Sequence, residues 1–99
     1  MADKQQIASG QGNGNSTAIQ ISRHAALHET RLRTLLVNGT FDSATVKYQV
    51  SLNGSDFFDV VNADSITGAT AINVDHRCPW HRINVAGGLG SESINAWVI

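Results

Sequence analysis

The chain has 99 residues, the size of one small domain. Seven Lys and Arg stand against eight Asp and Glu, so there is no basic excess to neutralise phosphates, and we expect no nucleic-acid partner. No apolar run reaches the length of a membrane span and the N-terminus lacks the apolar region of a signal peptide, so we expect neither membrane insertion nor secretion.

The first segment, residues 1–16, differs in composition from the rest. Ile7 and Ala8 are followed by SGQGNGNS, a stretch that cannot bury enough apolar surface to offset its ordering entropy. We therefore predict a flexible N-terminal arm over residues 1–16 and a folded domain over residues 17–99. The arm is either a frayed terminus or an interaction arm, whose anchors Ile7 and Ala8 reach a neighbouring subunit.

From residue 17 onward, apolar and polar residues alternate with the period of two that is typical of β-strands. The pattern predicts about seven short strands, over residues 17–22, 31–37, 44–52, 56–61, 69–75, 80–85 and 93–99. Turn residues separate them: Asn38-Gly39 ends the second strand, and Asn53-Gly54 predicts a type I′ hairpin. The predicted fold is all-β, an antiparallel, jelly-roll-like sandwich.

One face of these strands is predicted to form the core. The inward positions are Val46, Tyr48, Val50, Phe58, Ile72, Val74, Ile83 and Val85.

Three groups of residues are candidates for chemical sites. His24 and His28 could share a metal on a helix, but loop histidines are the simpler interpretation. The cluster His76, Cys78 and His81 contains zinc-ligand and Cys–His nucleophile types, yet no firm half-site supports either, and a structural role is favoured.

The third group is Asp56 and Asp59, which fall on opposite faces of a regular strand and so cannot work as a catalytic pair. We therefore expect no enzyme activity, no cofactor and no metal.

Aromatic residues are the remaining candidates for function. Phe57, Trp80 and Trp97 could form a sugar-stacking platform or an interface with another protein. If one sheet face kept Phe57, Val61, Trp97 and Ile99 together, that patch would be too apolar to stay in contact with water.

Residues 34–75, TLLVNGTFDSATVKYQVSLNGSDFFDVVNADSITGATAINVD, together with the closing RINVAGG and INAWV segments, resemble small virion proteins of tailed bacteriophages. The hairpin also resembles that of discoidin-type galactose-binding domains, which are longer. The phage resemblance implies a β-sandwich capsid decoration (cement) protein that binds the major capsid protein lattice, often as a homotrimer. It implies a virion location after synthesis in the host cytoplasm. The alternative is a carbohydrate-binding module or a tail- or fibre-associated adhesion domain.

Overall fold

A computed structural model gives the structure of the protein and describes residues 5–20 and 32–99. Nine strands lie in these two ranges, together with one 3₁₀ turn at Val61–Ala63. The strands are β1 (Gln5–Gln11), β2 (Gly14–Asn15), β3 (Ile19–Gln20), β4 (Leu32–Thr40), β5 (Thr45–Ser51), β6 (Phe58–Asp59), β7 (Thr70–Asp75), β8 (Trp80–Ala86) and β9 (Ser93–Val98).

The strands form two antiparallel sheets. The first sheet has the order β1-β9-β4-β7, and the second has the order β2-β8-β5-β6, with β3 also paired to β8. Between β2 and β3, the Ser16 N–H donates to Ile83 O at 2.9 Å, so β2 and β3 act as one interrupted strand. If β2 and β3 are counted as a single second strand, the nine strands become eight. The first sheet then has the order 1-8-3-6 and the second sheet has the order 2-7-4-5. This is the strand order of the jelly roll, and the predicted all-β sandwich is confirmed.

The core lies between the inner faces of the two sheets. Residues alternate between buried and partly exposed along β5, β8 and β9, as expected for strands with one face on the core. The central side chains are fully buried: Leu35, Val46, Tyr48, Val74, His81, Ile83, Val85 and Ile94. The predicted core is correct except at two positions: Ile72 is only partly buried against the core, and Phe58 is 70% exposed because β6 is a two-residue strand at the sheet edge.

The predicted turn at Asn38-Gly39 is wrong. β4 continues through both residues to Thr40, and Asn38 and Gly39 pair with Asn95 and Ile94 of β9. Gly39 has a φ of +123°, and a Cβ there would collide with the Ser93 carbonyl oxygen. Glycine at this position therefore allows β4 and β9 to approach each other closely. The chain turns afterwards, at Asp42 and Ser43, and crosses to the second sheet.

The predicted type I′ hairpin at Asn53-Gly54 is also wrong. That turn needs a positive φ at both central residues, and among the described non-glycine residues only Asp42 and Ser43 have one. Instead, Asn53 Oδ1 accepts hydrogen bonds from the backbone N–H groups of Ser55 and Asp56, at 2.8 and 2.9 Å. The side chain thus shapes a longer loop, and the return strand shrinks to β6.

Residues 5–16 are not a separate arm. β1 pairs with β9 at the edge of the first sheet, and Ile7 and Ala8 are only 4% and 6% exposed. The arm prediction and the boundary after residue 16 are therefore corrected for these residues. Residues 1–4 lie outside the described part of the chain, as do Ile21 and Ser22 of the first predicted strand.

The glycine-rich stretch after β1 is held by polar contacts rather than by apolar burial. Asn13 exchanges two hydrogen bonds with the backbone of Gly88, at 2.9 and 3.0 Å. The Asn13 N–H also donates to Glu92 Oε2 at 3.1 Å. Composition alone predicts disorder for this stretch, because it takes no account of partners that lie some 75 residues away in the chain.

Candidate functional site

The predicted His–Cys cluster is part of a hydrogen-bonded chain between the sheets. Tyr48 of β5 lies at its centre, with its hydroxyl oxygen 2.9 Å from His76 Nε2 and 2.9 Å from His81 Nδ1. His81 Nε2 lies 2.7 Å from Gln5 Oε1 on β1. We call Gln5, Tyr48, His76 and His81 the Tyr–His relay.

The partners at the two ends of the relay fix its protons. Gln5 Nε2 donates to the Gln20 carbonyl at 3.1 Å, which turns Gln5 Oε1 toward His81. His81 Nε2 must therefore carry hydrogen, and His81 Nδ1 must accept the Tyr48 O–H.

At the other end, the Cys78 N–H donates to His76 Nδ1 at 3.1 Å. His76 Nε2 then carries hydrogen and donates to the Tyr48 oxygen. Both ends thus require the same arrangement, in which the single Tyr48 proton points to His81.

Burial keeps the relay neutral. Burial, with His76 and Arg33 acting in the same direction, lowers the pKa of His81 to about 4. Burial also lowers the pKa of His76, with Arg33 acting in the same direction and Asp75 against it. Burial raises the pKa of the Tyr48 hydroxyl well above its ordinary range. The relay therefore holds no charge near neutral pH.

The relay joins the two sheets, because Gln5 on β1 contacts His81 on β8. Each polar atom of the relay is occupied by a partner, and His81 has no exposed surface. The half-buried Cys78 packs against the core, and its thiol is not one of the relay atoms. Within residues 5–20 and 32–99, no group of three or more His, Cys, Asp or Glu could hold a metal ion. His24 and His28 lie outside those ranges.

Sequence reasoning missed Tyr48 and Gln5 as members of this cluster. A signal was available for His81, because it alternates with the buried Ile83 and Val85 on β8 and therefore faces inward. Nothing local in the sequence points to Gln5, whose partner lies 76 residues away.

The aromatic candidates do not form one platform. Trp80 lies on β8 of the second sheet, and Trp97 lies on β9 of the first. Phe57 and Val61 belong to the connection around β6 of the second sheet. The hypothetical apolar patch of Phe57, Val61, Trp97 and Ile99 is therefore divided between the two sheets. Ile7 and Ala8 are buried and cannot serve as surface anchors.

The outer face of the second sheet carries a polar ladder. Arg82 Nε donates to Gln49 Oε1 at 2.8 Å, and Gln49 Nε2 donates to Asp59 Oδ1 at 2.8 Å. Lys47 pairs with Asp59 at 3.7 Å, while the Arg82 guanidinium lies 4.0 Å from the centre of the Phe57 ring. Asp59 is therefore a ladder partner and not half of a carboxylate pair with Asp56.

Beside this ladder, the loop before β6 and the first residue of β6 present apolar side chains to solvent. Leu52 is 76% exposed and Phe58 70%, and together with Phe57 they line one open groove. We call Leu52, Phe57 and Phe58 the apolar loop. Ser51 Oγ braces it by accepting hydrogen bonds from the N–H groups of Asn53 and Gly54, at 3.2 and 2.9 Å.

The outer face of the first sheet is different, because its central rows are uncharged and its charged residue Asp75 lies at the end of β7. We call this set the uncharged face: Gln6, Thr34, Leu36, Asn38, Ala71, Asn73, Asn95, Trp97 and Ile99. Register places Gln6, Trp97, Leu36 and Ala71 in one row across the four strands. Trp97 and Leu36 are direct cross-strand neighbours, and Ile99 lies opposite Thr34.

No described helix is long and apolar enough to cross a membrane. Comparisons of the chain with protein-family models, with curated proteins and with solved structures found no match in any of the three.

Proposed function

We propose that this protein is a capsid decoration protein of a tailed bacteriophage, which stabilises the head by binding the major capsid protein lattice. The phage resemblance of residues 31–99 supports this, and so does the jelly-roll strand order, which recurs in viral capsid proteins. Since a fold can host many functions, the proposal depends mainly on the surface.

The observation that carries the proposal is the apolar loop. Two large apolar side chains at 76% and 70% exposure that line the same groove are unusual for a chain of 99 residues that must stay soluble. Their burial against a partner stabilises a complex by about 1.5–3 kcal/mol for each side chain.

The loop is also preorganised for binding. Ser51 Oγ and Asn53 Oδ1 together accept four backbone N–H groups of residues 53–56. Arg82 fixes the Phe57 ring from the side of the sheet. Because the loop is already ordered, little conformational entropy is lost when it docks.

The alternative is a carbohydrate-binding module, in which the polar ladder would supply the groups that hydrogen-bond to the sugar. The polar groups of the ladder already bond to each other, and the Arg82 guanidinium covers one face of the adjacent Phe57 ring. Free polar groups and an open ring face are what a sugar-stacking platform needs, so we favour the decoration function.

The test is co-sedimentation with shells of the major capsid protein that lack decoration. We expect Leu52→Ser and Phe58→Ser each to weaken binding at least tenfold, without a change in the melting temperature. Leu89→Ser is the matched control, since Leu89 is 77% exposed in a different loop and should bind as the wild type does. Equal binding by all three variants, or no binding by the wild type, rejects the proposal.

A further inference from the structure

We propose that Asn53-Gly54 is a self-modifying site. The Gly54 nitrogen attacks the side-chain amide of Asn53, ammonia leaves, and water opens the resulting succinimide to aspartate or isoaspartate. The modification follows from the contacts of the loop alone, and only its effect on capsid binding rests on the proposed function.

Three Asn-Gly pairs occur in the chain, beginning at Asn13, Asn38 and Asn53. Succinimide formation is easiest at Asn-Gly, because glycine has no side chain to shield its nitrogen and adopts the backbone angles that ring closure needs. All three asparagines are exposed to solvent. Sequence and exposure therefore do not distinguish the three pairs, and the contacts of each side chain decide which of them reacts.

At Asn53-Gly54, one hydroxyl group contacts both reacting groups. The Gly54 N–H donates to Ser51 Oγ at 2.9 Å, and the Ser51 O–H donates to Asn53 Oδ1 at 3.0 Å. Ser51 is 1% exposed, so bulk water does not compete for this hydroxyl. The hydroxyl can accept the proton of the Gly54 nitrogen while it gives its own proton to Asn53 Oδ1, as a positioned acid–base group does.

The oxygen that gains negative charge during the attack is already surrounded by donors. Besides the Ser51 O–H, Asn53 Oδ1 accepts the N–H groups of Ser55 and Asp56, at 2.8 and 2.9 Å. Fixed donors around a carbonyl oxygen stabilise the charge that develops on it when the carbonyl carbon is attacked. Asn53 Nδ2 donates to Asp56 Oδ2 at 3.0 Å, so the group that leaves as ammonia is held in place as well.

The reaction balances with water as the only co-reactant. The bond between Gly54 N and Asn53 Cγ forms as the Gly54 proton moves through Ser51 to Asn53 Oδ1. The new hydroxyl then gives its proton to the leaving nitrogen, the bond between Cγ and Nδ2 breaks, and ammonia departs. Water adds to one or the other carbonyl of the succinimide, which gives aspartate or isoaspartate.

The other two Asn-Gly pairs are bonded to distant parts of the chain. Asn38-Gly39 lies within β4, where both residues pair with β9 and Asn38 Oδ1 accepts a hydrogen bond from Asn95 Nδ2. Asn13 Oδ1 and Nδ2 both bond to the backbone of Gly88. The side-chain bonds of Asn53 stay within residues 51–56 and lead to the nitrogen that attacks it.

Modification should disturb the apolar loop. Conversion replaces the Nδ2 donor by an oxygen, and the new carboxylate then faces the Asp56 carboxylate that Nδ2 now contacts. Like charges so close together repel each other. Isoaspartate also adds one carbon to the backbone between Leu52 and Phe58, which line the binding groove. We therefore expect capsid binding to be lost as the protein ages.

The experiment is peptide mass spectrometry on the full chain after incubation at neutral pH, both folded and in urea. Each conversion adds about 1 Da and one negative charge. In the folded chain, Asn53 should convert at least tenfold faster than Asn13 or Asn38. In urea, where only the local sequence acts, the three rates should be similar, and Asn53 should convert more slowly than it does in the folded chain.

Ser51→Ala removes the bridging hydroxyl and should slow the conversion of Asn53 at least tenfold. Ser55→Ala is the matched control, because it removes an exposed hydroxyl from the same loop and keeps the Ser55 N–H. The inference is overturned if Asn53 converts no faster folded than in urea, if Asn13 or Asn38 converts first, or if Ser51→Ala converts as fast as the wild type. The comparison with urea decides the question even if Ser51→Ala does not fold.

Co-sedimentation of Asn53→Asp with undecorated shells tests the effect on binding separately. We expect it to bind at least tenfold more weakly than the wild type, and equal binding would overturn the expected effect on the loop. If the wild type itself does not bind shells, the proposed function fails, while the mass measurements still decide the modification.

Discussion

Acidification should destabilise this fold well before its carboxylates are protonated, because of His81. In the folded protein the pKa of His81 is lowered from 6.5 to about 4, so the unfolded chain binds a proton that the folded chain does not. The stabilisation from neutral His81 is therefore complete above pH 6.5 and is lost as the pH falls toward 4.

The size of this effect follows from the two pKa values. Within that interval one differential proton changes the free energy of unfolding by about 1.4 kcal/mol for each pH unit. Over the whole interval His81 alone accounts for roughly 3 kcal/mol. The lowered pKa of His76 adds to the loss in the same direction. This is a large part of the 5–15 kcal/mol that a domain typically has.

Urea denaturation at pH 7.5, 6.5, 5.5 and 4.5, followed by tryptophan fluorescence, measures the effect. His81→Gln should start from lower stability but change less with pH, because the titrating group is gone. His76→Gln is the comparison that keeps His81, and it should retain most of the pH dependence. NMR titration of the imidazole protons reports His81 directly.

Two results would refute this reasoning. One is a wild-type free energy of unfolding that is the same at pH 6.5 and 4.5. The other is a His81 titration midpoint near 6.5, which would mean that burial does not keep the ring neutral.

Three further predictions concern single side chains, and thermal and urea denaturation checks each. Tyr48→Phe keeps the ring but leaves His76 Nε2 and His81 Nδ1 without their shared partner, and should cost about 1–3 kcal/mol. Ile7→Ala should cost about 2–4 kcal/mol because β1 is part of the core, whereas Leu89→Ala should change stability by less than about 0.5 kcal/mol; equal effects would restore the mobile-arm interpretation. Gly39→Ala should lower the free energy of unfolding more than Gly90→Ala does. Both glycines have a φ near +120°, but only at Gly39 would a Cβ collide with neighbouring backbone. If both variants lose a similar 1–2 kcal/mol, roughly the cost of the positive φ, the collision does not contribute.

Sequence patterns predicted the fold where one strand face is buried and the other exposed. The alternation from Val46 to Val50 located β5, and similar patterns located β7, β8 and β9. Predictions failed where distant partners decide the conformation. Asn38-Gly39 looks like a turn, but pairing with β9 keeps it in β4.

In the candidate site, too, the sequence indicated local neighbours but not distant partners. His76 and His81 were recognisable as neighbours in sequence, while the Tyr48 hydroxyl that joins them comes from β5. The separation of Trp80 from Trp97 depends on which sheet each strand enters, and period-two patterning carries no information about that.

The pairing of β1 with β9 has a consequence for how the chain reaches its folded state. Gly10 and Asn95, which meet across this pair, are 85 residues apart. During translation β1 leaves the ribosome long before β9 has been synthesised. Ile7 and Ala8 therefore stay in contact with water until β9 is available for pairing. Such distant pairing slows folding to milliseconds or longer, against microseconds for chains with mainly local contacts. We expect the first strand made to be among the last to dock.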